Sequence, residues 1–88
     1  MPYLIIFLPG WDRHFSKMDK SVQDVIWKKI QKQKEETPAR HLRHGVEFFV
    51  AEAGQYRIVL KINELEKSKA VHFAGSHKQY EKWLKEFK

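Results

Sequence analysis

The sequence predicts an α+β fold in one domain, residues 1–88. It has a mostly antiparallel four-stranded sheet, an N-terminal helical hairpin on one face and a C-terminal helix, in the order β-α-α-β-β-β-α. Three observations carry this. A six-residue apolar run, 3–8, has the length of a strand. Apolar residues then recur at helical spacing, and later runs alternate with period two. Eighty-eight residues are enough for one domain. A chain of this length buries only about 60–65% of its unfolded surface, so its core is modest.

The elements follow in order. Residues 3–8 are apolar on both faces, which predicts a buried, central strand ended by Pro9 and Gly10. Trp11, Phe15 and Met18 mark one face of a short helix. Asp19 or Ser21 can cap a second, with Asp24 in capping-box position after Ser21. Val22, Val25, Ile26 and Ile30 form its apolar stripe, its lysines a solvated face, and Thr37 before Pro38 stops it. The two helices pack as an antiparallel hairpin. A basic loop follows with Arg40, His41, Arg43 and His44, pinned by Leu42.

The second strand, 46–51, turns Val46, Phe48 and Val50 one way and Glu47, Phe49 and Ala51 the other. After a turn at Ala53 and Gly54, Tyr56, Ile58, Leu60 and Ile62 alternate with Arg57, Val59 and Lys61. In the last strand Val71 and Phe73 point inward; Ala70, His72 and Ala74 lie beside the Arg57 row. Ser76 and Gln79 fit a capping box, and Tyr80, Trp83, Leu84 and Phe87 give the final helix its stripe. One sheet face should therefore be open, with Glu47, Phe49, Arg57, Lys61 and His72 set among alanines. Such a basin suits single-stranded nucleic acid: cations for phosphates, an aromatic ring for a base.

Composition agrees. Seventeen Lys and Arg against eleven Asp and Glu give a formal charge of +6, which favours a polyanionic partner, nucleic acid or acidic protein. At 42% hydrophobic the chain is too apolar to be disordered. No cysteine is present, so there is no disulfide framework or thiolate zinc site, and the histidine spacing matches no known ligand pattern. This suits a cytoplasmic protein without metal or other cofactor. The run 3–8 is too short for a leader or membrane span.

Four stretches, FSKMDKSVQDVIWKKIQKQKE, HLRHG, GQYRIVLKI and VHFAGSHKQYEKW, together resemble the RelE/ParE superfamily of toxins from toxin–antitoxin pairs. The resemblance covers nearly the whole chain and implies a small RelE-like fold held inactive by an acidic antitoxin. RelE-like members cut mRNA in the ribosomal A site, so the implied partners include ribosome and mRNA. ParE-like members poison DNA gyrase instead. Arg57 matches the arginine that contacts the scissile phosphate, and Arg43 the loop arginine. His77 resembles the histidine of the YafQ- and HigB-like branch. Tyr80 sits near the aromatic residue that completes the site. RelE has two lysines in the strand corresponding to 46–51; this chain has Phe48, Phe49 and Val50. If it cuts RNA, it does so with histidine chemistry.

That chemistry needs a base for the ribose 2′-OH, a cation for the phosphorane and an acid for the leaving 5′-oxygen. His77 fits base or acid, and Arg57 the cation. Lys61 adds charge; Tyr80 donates a proton or stacks. His72, His41 or Glu47 supplies the second proton-transfer group, and Lys78 and Phe49 complete an RNA-binding surface. Each has a plainer alternative. Tyr80 fits the core stripe, His77 is a first-turn residue, Arg57 can pair with Glu47, and His72 can be a satisfied strand histidine.

Overall fold

The computed structural model describes residues 3–35, 40–41 and 48–87. Strand β1 (Leu4–Phe7) runs parallel to β5 (Ser68–Ser76), from Leu4 opposite Ser68 to Phe7 opposite Val71. Sheet order is β1-β5-β4-β3-β2, with β2 Arg40–His41, β3 Phe48–Ala53 and β4 Tyr56–Asn63. All other pairings are antiparallel. The expected four strands are thus joined by a two-residue fifth, where a loop was expected.

β1 lies at the sheet edge, not at its centre. Leu4 is 66% exposed, and Ile6 and Phe7 are also exposed. The apolar run has a local reason. Ile5 packs on the core under helix α1 (Lys20–Lys32), and Phe7 stacks on Trp27 of that helix at 5.6 Å and meets Trp11 at 4.9 Å.

The expected helical hairpin is a single helix. Gly10 turns the chain at φ +87, a left-handed conformation that glycine adopts without steric cost. Hydrogen-bonded turns follow, then one 3-10 turn at Phe15–Lys17. Fewer than ten residues separate Gly10 from α1, too few to repay helix nucleation, and Met18 and Asp19 are both extended. Trp11, Phe15 and Met18 still pack on the core, so the apolar pattern persists without the helix. Asp19 is the N-cap but makes no side-chain cap bond, and the helix starts before Ser21, which rules out the expected capping box. Ile26 and Ile30 are fully buried; Val25, expected on the stripe, is half exposed.

The sheet is covered on both faces. Under α1, Ile26, Ile30, Ala51, Ile58, Leu60, Val71 and Ala74 form one core. On the other face, helix α2 (His77–Phe87) sets Tyr80, Trp83 and Leu84 on Phe48, Val50, Val59 and Phe73. Each large aliphatic side chain buried in this way contributes about 1.5–3 kcal/mol. The expected open basin is therefore largely filled. Two strands also face differently from the expected alternation. Phe48 and Val50 lie on the α2 side, while Ala51 and Ala74 belong to the α1 core. In β5 the cause is local. Val59 pairs with Phe73 and Leu60 with Val71, leaving His72 as an extra residue. Such a bulge breaks the period-two pattern, so Val71 and Phe73 reach opposite cores.

Two devices hold the ends. Lys69, only 1% exposed, donates from Nζ to the Glu35 carbonyl at 3.0 Å and lies over the Tyr3 ring at 4.3 Å. At α2 the expected capping box forms. Ser76 N–H donates to Gln79 Oε1 (2.9 Å), and Gln79 N–H donates to Ser76 Oγ (3.2 Å).

Candidate nucleic-acid interface

The β3–β4 hairpin and the start of α2 meet at one end of the sheet. Gly54, at φ +62, makes the turn, and His77 N–H donates to the Gln55 carbonyl at 3.0 Å. Tyr56 pairs with Ser76 and Arg57 with Gly75. The guanidinium of Arg57 and the imidazole of His77 thus belong to adjacent strand ends.

The Arg57 side chain is 16% exposed and folds back over its own turn. Its Nη1 donates to the Gly54 carbonyl at 2.9 Å and the Tyr56 carbonyl at 3.0 Å. Its Nε lies 3.5 Å from Glu52, its cross-strand partner. Register sets Glu52 across from Arg57; Glu47, the partner expected from sequence, lies outside the described residues. Glu52 is half exposed, so this pair contributes under about 1 kcal/mol.

His77 is exposed, with Nε2 3.5 Å from Glu81 one helical turn on and its ring 6.4 Å from Tyr80. Tyr80 is half-buried, facing the sheet and stacked on Trp83 at 6.5 Å. It borders the His77 site and belongs to the core at once. Lys78 is exposed on the same helix.

Lys61, Phe49 and His72 do not converge here. Lys61 is four residues further along β4, ~13 Å at strand rise, while Arg57 folds toward Gly54. Lys61 is exposed beside Phe48 and Ala70. Phe49 pairs with Leu60 and lines, with Lys61, Ile6 and Leu8, a hollow of about 740 Å³ beside the β4–β5 turn. His72 sits at the register slip, edge-on to Phe48 at 4.7 Å. Burial first, and then the Lys61 charge, hold its pKa below the ordinary 6.5. His41 is placed by its backbone opposite Phe49; Arg43 and His44 lie outside the described residues.

His14 carries no sequence signal of its own, and the structure sets it against β5 and α2. Its ring lies 5.7 Å from Phe73, and its pKa is lowered by burial, then by Arg13, Lys17 and Lys82. No group of three metal-ligating side chains occurs among the described residues, and no helix is long and apolar enough to cross a membrane.

Known structures share this architecture. The chain superposes on the toxin–antitoxin complex RelBE2 from Mycobacterium tuberculosis with a TM-score of 0.78, 18% identity, and coverage of 86% of this chain and 99% of that one. This chain has the RelE fold. A mutant of the E. coli toxin RelE in the free state gives a TM-score of 0.74 at 20% identity, covering 92% of this chain and 90% of RelE. No family model and no curated protein matches the sequence. Within the RelE fold, this chain buries Phe48 and Val50 against the last helix, on the strand where the resemblance set two lysines.

Proposed function

We propose that this chain is the toxin of a toxin–antitoxin pair and acts in the cytoplasm as a ribosome-dependent mRNA endonuclease. The observation that carries the reading is the bond from His77 N–H to the Gln55 carbonyl. It ties the helix that bears the imidazole to the turn that holds Arg57. The RelE fold and the +6 charge point the same way. In this reading the Arg57 guanidinium turns from its own carbonyls to the scissile phosphate and neutralises the phosphorane. His77 either takes the proton of the ribose 2′-OH while a water protonates the leaving 5′-oxygen, or protonates that oxygen while a water takes the 2′-OH proton, with Glu81 orienting its ring. The 2′-oxygen bonds to phosphorus as the P–O5′ bond breaks, leaving a 2′,3′-cyclic phosphate and a 5′-hydroxyl. Tyr80 offers the base a ring beside the site.

The partner in this reading is an antitoxin, as in the toxin–antitoxin complex RelBE2, and the +6 charge suits an acidic, partly disordered segment that folds on the toxin. Either the Arg57 end or the surface under α2 suits it. Lifting α2 would uncover Phe48, Val50, Val59 and Phe73 as an apolar seat.

One observation favours a second reading, a gyrase-directed or purely binding relative. Phe48 and Val50 stand on the strand beside Arg57 where the resemblance set lysines, and β3 carries no cation. Translation with purified ribosomes and a defined mRNA separates the two. Cuts in the A-site codon, suppressed by His77→Ala, support the nuclease. Intact mRNA with accumulating gyrase–DNA adducts would overturn it.

A further inference from the structure

A second basic site lies on the other flank of α2. His77 and Glu81 project to one side of the sheet-facing stripe formed by Tyr80, Trp83 and Leu84; Gln79, Lys82 and Glu86 project to the other. There a cleft of about 260 Å³ opens between α2, the register slip of β5 and the turn after β1. Its wall carries Arg13, His14, His72 and Lys82, and its floor Phe73 and Trp83. The two rings stack at 5.7 Å with 30° between their planes.

We propose that this cleft binds one nucleotide of a single-stranded RNA, with the phosphate between Arg13 and Lys82 and the base against the Phe73–Trp83 floor. The lining polar groups come from three separate elements, with Arg13 in the turn after β1, His72 in β5 and Lys82 in α2, so the cluster is a product of folding and not a run in the sequence. Among the described residues Glu86 is the one carboxylate on the wall, against the cations Arg13 and Lys82. Burial and neighbouring cations disfavour the charged form of His14, and an anion in the cleft would relieve the crowding. An acidic peptide would satisfy the cations alone and bring no ring to the edge of the Phe73–Trp83 pair. A nucleotide uses both, since every base has a face that stacks on an aromatic ring. The β5 bulge builds the site by turning His72 and Phe73 to the α2 side together.

The biological ligand rests on the RNA reading above; the binding itself does not, and is measured without ribosomes. Arg13 and Lys82 are exposed, so their replacement spares the core. The experiment follows backbone and indole N–H resonances of the full chain during titration with adenosine 5′-monophosphate, a single-stranded hexaribonucleotide and a decaglutamate peptide. The nucleotide should move Gly10, His14, Phe73, Gln79 and the Trp83 indole. The double variant Arg13→Gln/Lys82→Gln should keep a folded spectrum and bind at least about tenfold more weakly. Its log affinity for the RNA should fall less steeply with log salt, by about 0.7, because the phosphate held between Arg13 and Lys82 is no longer neutralised. Three results would each overturn the proposal: no nucleotide shifts in the cleft, shifts confined to residues 54–57 and 77, or decaglutamate binding there when nucleotide does not. Nucleotide binding in the cleft of a protein that leaves mRNA intact would retain this site and remove the nuclease reading.

Discussion

Arg57 owes its partner to register. The hairpin sets Glu52 across from it, and the turn carbonyls of Gly54 and Tyr56 take its Nη1 hydrogens. Its identity and strand are legible from sequence, but a side chain that curls back on its own turn is not. The two half-buried histidines make a prediction of their own. His14 and His72 both have pKa values lowered from 6.5, chiefly by burial. Below that value the unfolded chain takes up protons more readily than the folded one. The neutral histidines therefore contribute stability that is complete above about pH 6.5 and is lost as pH falls through their folded values. Chemical denaturation at a series of pH values should show stability declining as pH drops below about 6.5, and His14→Gln/His72→Gln should flatten that decline. An unchanged slope in the double variant would show that carboxylates account for the acid sensitivity.

At the scale of elements, patterns that repeat within one segment are readable, and those set by neighbours are not. The Ser76–Gln79 capping box follows from spacing alone. The His72 bulge depends on how two strands pair, so strict alternation misplaces Phe73 and Ala74. The short helix expected before Asp19 does not form because its apolar spacing serves packing as well in turns as in a helix. The step from β5 into α2 is tight. A Cβ on Gly75 would stand 2.7 Å from Phe73 Cζ and 2.8 Å from Gln79 Oε1, so it would press on the core and the cap together. Gly75→Ala should cost about 1–3 kcal/mol in urea unfolding. Ser76→Ala, which removes only the cap, should cost about 1 kcal/mol. Equal effects would mean that the glycine matters only through the capping box.

At the scale of the molecule, the sheet separates two cores, and α2 is the lesser cover. It holds the sheet through Tyr80, Trp83 and Leu84, all half-buried, whereas α1 sinks Ile26 and Ile30 completely. On the proposed toxin reading, that difference makes α2 the element an antitoxin would displace most readily. Hydrogen exchange with and without the partner should show a changed rate at α2 or at the β3–β4 turn; identical rates at both would rule out the proposed mode of inhibition. The fold class is readable because a sheet and a last helix leave periodic marks, whereas the RelE likeness rests on the four stretches that resemble that family. The cleft beside His14 is not, because its residues come from the turn after β1, β5 and α2.

The central claim is that Arg57 and His77 act on one phosphate. The most direct measurement is mass spectrometry of mRNA cut on programmed ribosomes, run for the native protein, Arg57→Ala and His77→Ala. The expected result is a 2′,3′-cyclic phosphate on the upstream fragment and a rate at least about a hundredfold lower in each variant. Full-rate cleavage by both variants, or a linear 3′-hydroxyl end, would contradict it.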